Sequence, residues 1–177
     1  VYPQRRGERT HEERNGVTER VVVLDDELNM GKALTKLLRT EDYEVEAFQE
    51  PKEALAHLEE NQAAVLLSDL RMPGMSGEEV LEQVHARALP CEVIIMTAYG
   101  TVESAMRCVR NGAYDYVTKP FDTKSLLATV RSAVKKYRSE RTAPATPPPA
   151  GEADTERELI GESSQIAAVR ELIQKIA

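Results

Sequence analysis

From residue 20 the chain alternates short apolar runs with stretches of helical period, and this alternation predicts its architecture. Five runs read as strands: 20–25, 43–48 ("YEVEAF"), 64–69 ("AVLLSD"), 92–97 ("EVIIMT") and 114–118 ("YDYVT"). Between them, apolar residues recur on single helix faces. Met30, Leu34, Leu37 and Leu38 make the first face. Ala54, Leu55 and Leu58 make the second, entered through Pro51 at its first turn. Val80, Leu81 and Val84 make a third, Val102, Ala105, Met106 and Val109 a fourth, and Leu126, Leu127, Val130 and Val134 a fifth. Strands alternating with helices give a parallel sheet covered on both faces by right-handed crossovers. All but the second strand are nearly continuous apolar runs, as burial on both faces requires. The fold class is α/β: a doubly wound five-stranded parallel sheet flanked by five helices.

The pattern fails at both ends of the chain. Residues 1–19 are rich in Arg and Glu with hardly an apolar residue, and read as a disordered leader. After Tyr137 the composition changes. "SERTAPATPPPAGEADTE" carries Pro144, Pro147, Pro148 and Pro149, so residues 139–158 read as a semi-extended linker that ends the fifth helix. Helical period returns at Ile166, Val169, Ile173 and Ile176 behind a cap at Ser163 or Ser164. Residues 159–177 are therefore expected to begin a further domain cut short. The globular unit is 20–138.

Composition narrows the function classes. The formal charge of −7 leaves no electrostatic footprint for nucleic acid, and no dense basic stripe occurs. No apolar stretch reaches the ~18 residues that span a bilayer, and the N-terminus has no signal-peptide core. Cys91 and Cys108 lie in apolar segments without CxxC spacing, as buried free thiols of a reducing cytoplasm would. The three histidines, His11, His57 and His85, are scattered and suggest neither a metal cluster nor a triad.

The candidate chemistry comes from where the strands end. In "VVVLDDELNM" a buried strand runs directly into Asp25, Asp26 and Glu27. Open parallel sheets bind ligands beyond the carboxyl ends of their strands, where strand order reverses. The third strand ends in Asp69, followed by "LRMPGMSG". The fourth ends in Thr97 and the fifth in Lys119-Pro120. A solvated turn accounts for any one of these, but not for four strands agreeing. Two carboxylates about 4 Å apart repel by ~4 kcal/mol at an effective dielectric of 20, so three together need a cation. Lys119 supplies one charge. A hard divalent ion suits the remainder, because Mg²⁺ takes one or two carboxylates and leaves positions for phosphate oxygens. Thr97 and Lys119 can each bind a phosphoryl oxygen, and one carboxylate can attack phosphorus to give an acyl phosphate. The chemistry implied is Mg²⁺-assisted phosphoryl transfer onto an aspartate.

Asp25-Asp26, Asp69 with "MPGMSG", Thr97-Ala98 and Lys119-Pro120-Phe121 together resemble the receiver domain of two-component response regulators, over roughly residues 20–138. The resemblance implies a flavodoxin-like strand order of 2-1-3-4-5 and Mg²⁺ (or Mn²⁺) as cofactor. It makes Asp69 the phosphoacceptor, taking its phosphoryl group from a phosphohistidine on a sensor histidine kinase. Asp26 would coordinate the metal directly, with Asp25 holding its water shell, and Asp69 and the backbone carbonyl of Arg71 as further ligands. Lys119 would contact the phosphoryl group across a cis bond to Pro120. Thr97 and Tyr116 would be the switch pair, altering homodimerisation through the face of the fourth helix, fifth strand and fifth helix. Arg71 and Tyr99, each two positions after a site residue, would overhang the phosphoryl group and slow its hydrolysis.

A second resemblance lies in "LIGESSQIAAVRELIQKIA", which is similar to the first segment of the AAA+ ATPase domain of NtrC-type, sigma-54-dependent activators. It implies a full-length cytoplasmic regulator that binds DNA and sigma-54 RNA polymerase through parts beyond this fragment. No GxxxxGK[ST] occurs, so the chain has no ATPase P-loop and reads as a regulatory domain rather than an enzyme. A haloacid-dehalogenase-type phosphatase is the enzymatic alternative. Its D-x-D would need an acid two residues on and finds Glu27, and it leaves Asp69 and Lys119 together unexplained. A degenerate receiver acting only by interaction is the third reading.

Overall fold

The computed structural model describes residues 18–98 and 100–142. Their order is β1 (Arg20–Leu24), α1 (Leu28–Arg39), β2 (Glu44–Phe48), α2 (Pro51–Glu60), β3 (Val65–Asp69), α3 (Gly77–Ala86), β4 (Glu92–Thr97), α4 (Val102–Arg110), β5 (Asp115–Thr118) and α5 (Thr123–Thr142). The strands form one sheet in the order β2-β1-β3-β4-β5, with every pair parallel. Fold class and strand order are those expected. The C-terminal helix expected over 159–177 lies outside the described residues.

Alternation along the three central strands builds two cores, because successive side chains leave opposite faces of a strand. Val21, Val23, Leu67, Ile94 and Met96 point to one face, where α1 brings Leu34 and Leu38 and α5 brings Leu126, Val130 and Val134. Val22, Leu24, Leu66, Val93 and Ile95 point to the other, against Leu55 and Leu58 of α2 and Val80, Leu81 and Val84 of α3. At ~25 cal/mol per Å² of apolar surface, each such side chain contributes roughly 1.5–3 kcal/mol. Helix starts are chemically marked. Pro51 opens α2, and Ser76 with Glu79 forms a reciprocal capping box on α3, as Thr101 with Ser104 does on α4.

Three expectations need correction. Of the expected stripe Val102, Ala105, Met106 and Val109, Ala105 packs against a core and Val102 does not. Val102 is 49% exposed, and Cys108 is the one fully buried residue of α4. The helix leans on the sheet along Ala105 and Cys108, so the rest of the apolar stripe falls on its flank. Cys91 is only partly buried, although burial pushes both thiols up to about 12. Finally, α5 runs to Thr142, four residues past the expected boundary at 138. "SERT" contains no helix breaker, Glu140 pairs with Lys136 one turn back, and Arg141 donates to Tyr137. The first residue that Pro144 disfavours in a helix is Ala143.

Candidate functional site

Strand order reverses between β1 and β3, and the crevice at their carboxyl ends holds the expected constellation. Asp69 is the last residue of β3 and Thr97 the last of β4. Asp25 and Asp26 directly follow β1, and Lys119 directly follows β5. Parallel register keeps these ends level, since Leu24 pairs with Ser68, Asp69 with Met96 and Thr97 with Thr118. Two further bonds lock the edge: Lys119 N–H donates to Thr97 O at 2.7 Å, and Leu70 N–H to Met96 O at 2.7 Å. The Lys119–Pro120 peptide bond is cis.

Lys119 Nζ bridges the site, donating to Asp25 Oδ2 at 2.7 Å and to Asp69 Oδ1 at 2.5 Å. The remaining oxygen of each carboxylate is also fixed. Asp25 Oδ1 accepts from Glu27 N–H at 2.9 Å, and Asp69 Oδ2 from Arg71 N–H at 2.8 Å. Both aspartates thus make the same local turn with the backbone two residues on. The side chains of Asp25, Asp69 and Lys119 are 1%, 10% and 12% exposed. Burial works against the lysine charge, but the hydrogen bonds to both carboxylates outweigh it and hold the ammonium above its ordinary value.

Gly77 makes this geometry possible from behind. Its N–H donates to Leu70 O at 2.9 Å, and a Cβ there would lie 2.3 Å from the carbonyl oxygen of Asp69. No side chain fits, so the second glycine of "MPGMSG" lets α3 start directly against the end of β3. Asp26 is exposed at the rim. Beyond Asp25, Asp26 and Pro73 a groove of about 910 Å³ opens between α1 and the β2–α2 corner, flanked by Lys32 and Lys36 on one wall and Glu53 on the other.

The described residues contain no group of three His, Cys, Asp or Glu side chains arranged as a metal cage. The expected gathering of Asp25, Asp26 and Asp69 therefore takes a different form: Lys119 lies between two of them, and the third stands apart on the rim. The donor set still fits Mg²⁺, which keeps several waters and takes only one or two carboxylates from a protein. Two carboxylates against one ammonium leave a negative site, and Asp26 adds to it. A hard cation is the complement.

Thr97 is 1% exposed and Tyr116 3% exposed. The phenol of Tyr116 points inward, its Oη 2.9 Å from Ser104 Oγ. Burial raises this phenol above its ordinary value, while its hydrogen bonds with the hydroxyls of Ser104 and Thr97 draw it back. The part played by Ser104 was not read from the sequence, although Thr101-x-x-Ser104 before an apolar helix was there as a capping signal. Tyr99 lies outside the described residues, and Arg71 is exposed at the rim.

A parallel sheet of this order, with acids and a lysine converging on its carboxyl edge, defines a doubly wound α/β domain of the flavodoxin-like class. The family is shown directly. Residues 21–131 match the response regulator receiver domain, and the chain belongs to that family of two-component regulatory domains. It is 30% identical over 157 residues to the C4-dicarboxylate transport transcriptional regulatory protein DctD of Rhizobium meliloti, covering 89% of this chain and 34% of that protein. It is 36% identical over 121 residues to the DNA-binding transcriptional regulator NtrC of Salmonella typhimurium, covering 68% of this chain and 26% of that protein. The chain thus spans about a third or less of these relatives. Among solved structures, the signal receiver domain of a LuxO repressor protein from Vibrio parahaemolyticus superposes with a TM-score of 0.70 at 26% identity, covering 73% of this chain and all of that one. The beryllofluoride-activated NtrC4 receiver domain dimer gives 0.64 at 29% identity, covering 67% of this chain and 98% of that one. No helix among the described residues is long and apolar enough to cross a membrane.

Proposed function

We propose that Asp69 accepts a phosphoryl group from a phosphohistidine of a sensor histidine kinase, and that the acyl phosphate switches dimerisation through Thr97 and Tyr116. The observation that carries this reading is the Lys119 bridge, one ammonium shared by two carboxylates whose other oxygens are fixed by backbone N–H groups. An Asp69 oxygen attacks phosphorus in line. The new P–O bond forms as the P–N bond breaks, and the imidazole leaves with the electron pair and is protonated. Lys119 exchanges its contact with Asp69 for one with a phosphoryl oxygen, and Thr97 donates its hydroxyl to another. Mg²⁺ (or Mn²⁺), held by Asp26, Asp69 and the Arg71 carbonyl, with Asp25 on its water shell, would neutralise charge on the phosphoryl oxygens. Arg71 and, by its place in the sequence two residues after Thr97, Tyr99 would crowd the approach of the hydrolytic water.

The same reading makes the chain the regulatory part of a cytoplasmic sigma-54-dependent activator. Residues 143–158, after the end of α5, would be the tether and 159–177 the start of an AAA+ ATPase, with DNA and polymerase contacts made by the rest of the protein. Two relatives named as transcriptional regulators support it. The half-exposed Val102 and its flank on α4 support the face of α4, β5 and α5 as the dimer contact. The test is labelling of the chain by radioactive acetyl phosphate with Mg²⁺. Acid-stable, base-labile label on Asp69 that disappears with chelator is expected. Label on another residue would overturn the assignment.

A further inference from the structure

We infer that Ser104 is a positioning residue that ties the first turn of α4 to the inward ring of Tyr116, so that the switch tyrosine and the helix move as one unit. The inference rests on the Thr97–Tyr116 switch proposed above and extends it to a residue outside the pair.

The argument begins with hydrogen-bond capacity. A serine hydroxyl has one proton and two lone pairs. Ser104 Oγ lies 3.1 Å from Thr101 N and 3.0 Å from Thr101 Oγ1, both of which can donate to it, and 2.9 Å from Thr101 O, which can only accept. Tyr116 Oη, at 2.9 Å, is the fourth neighbour. The proton goes to Thr101 O and one lone pair takes Thr101 N–H. Tyr116 and the Thr101 hydroxyl then compete for the second lone pair. The inward phenol is therefore a ligand of the same oxygen that caps the helix.

Two features make this link count. First, α4 is thinly held. Cys108 is its one fully buried residue, and its ion pair to α3, Arg107 to Glu78 at 2.8 Å, has the arginine 55% exposed and adds little. Second, the loop into α4 lies directly on the tyrosine. A Cβ on Gly100 would sit 2.5 Å from Thr118 Cγ2 and 3.4 Å from both Cε1 and Oη of Tyr116. The loop that follows Thr97, the ring and the helix cap thus share one small contact region. A pull on Thr97 reaches Thr101, and through Ser104 it reaches Tyr116.

A helix-capping role alone would give part of the same picture, so the test must separate the two. Amide hydrogen exchange of Ala105 and Met106, both in the first turns of α4, reads the tether in the full chain. Compare wild type, Ser104→Ala, Tyr116→Phe and the double variant. Tyr116→Phe keeps the ring and leaves every atom of the cap in place. It is expected to raise exchange at those amides about fivefold, the effect of losing the bond to Ser104. Its bond to Thr97 goes too, so the double variant shows which of the two reaches α4. Ser104→Ala is expected to raise it at least as much, and the double variant no further than Ser104→Ala alone. If Tyr116→Phe leaves α4 exchange unchanged, or if the two effects simply multiply, the tether is overturned. The outcome is separable from the phosphoacceptor reading. Failure of Asp69 to take label ends that reading without moving these exchange rates.

Discussion

The two ends of this one sheet use the same residue types to opposite effect. At the N-terminal edge, anions and cations match closely. Glu92 meets Lys136 at 2.5 Å, Glu19 meets Arg138 at 2.7 Å, and Glu140 joins Lys136 at 3.1 Å. All three cation contacts come from the last turns of α5, with Arg141 adding a hydrogen bond to Gln62. At the C-terminal edge the match fails. Asp25 and Asp69 share Lys119, and Asp26 stands exposed. The paired edge fastens a helix. The undercompensated edge keeps an unmet demand for positive charge, which the proposed metal ion would meet. Charge imbalance, rather than charge, marks the functional end.

The largest expected effect sharpens this contrast at its centre. Asp69→Asn removes the nucleophile and keeps the shape, so label from a small phosphodonor with Mg²⁺ should fall to background while the variant melts as a folded domain. Wild-type labelling would end the assignment. The corresponding change at the other edge, Glu92→Gln, should leave labelling unaltered.

Next in size is the lifetime of the acyl phosphate. Arg71 is exposed beside Asp69, to which its backbone N–H donates. With Tyr99 it is expected to obstruct the water that must approach in line. Arg71→Asn and Tyr99→Ala should each speed loss of label by ~10-fold, equivalent to ~1.4 kcal/mol of barrier. Decay no faster than wild type would remove both residues from the mechanism. A comparable but smaller change is expected for Asp26→Asn, which replaces a charged rim ligand by a neutral one. Its Mg²⁺ affinity should fall several-fold by titration, on the order of fivefold, since ligand charge sets hard-cation affinity.

The functional edge was legible in sequence because its residues are anomalies. Asp25, Asp69, Thr97 and Lys119 each stand where an apolar run stops, and a parallel sheet aligns those stops without any knowledge of packing. The features that escaped are contextual. Cys108 was expected to be buried, but only the packing of α4 on the sheet decides that Val102, in the same helix, is not. Ser104 reads as a cap, and its second role exists only because β5 carries Tyr116 alongside. The end of α5 was misplaced because "SERT" is neutral by propensity. Its contacts to Gln62 and back to Tyr137, Lys136 and the sheet edge are what continue the helix, and tertiary contacts are not periodic.

The smallest expected effect tests the paired edge, and its pH dependence carries the sign. Burial raises the Glu92 carboxyl above its ordinary 4.5, with Lys136 pulling the other way, whereas Lys136 itself ends above its ordinary value because its bonds to Glu92 and Glu140 outweigh burial. A carboxyl raised on folding costs stability as pH climbs from the ordinary value through the raised one, and the cost is complete above it. Lys136→Met removes the cation that limits this cost, so the raised value rises further. At pH 7.5 the variant should be less stable by about 1 kcal/mol, a figure kept low because Lys136 is 43% exposed and the pair is partly screened. Well below 4.5, where Glu92 is protonated folded and unfolded alike, the Glu92 part of the difference should vanish. Urea melts of wild type and variant at pH 7.5 and pH 3 measure it, and other carboxylates cancel in the subtraction. A destabilisation equal at both pH values would mean that Lys136 holds α5 through its ammonium over the Tyr114 ring, 5.9 Å from the ring centroid, rather than through its pairing with Glu92. Labelling of Asp69 should be the same in both proteins at either outcome, which is what separates the fastened edge from the working one.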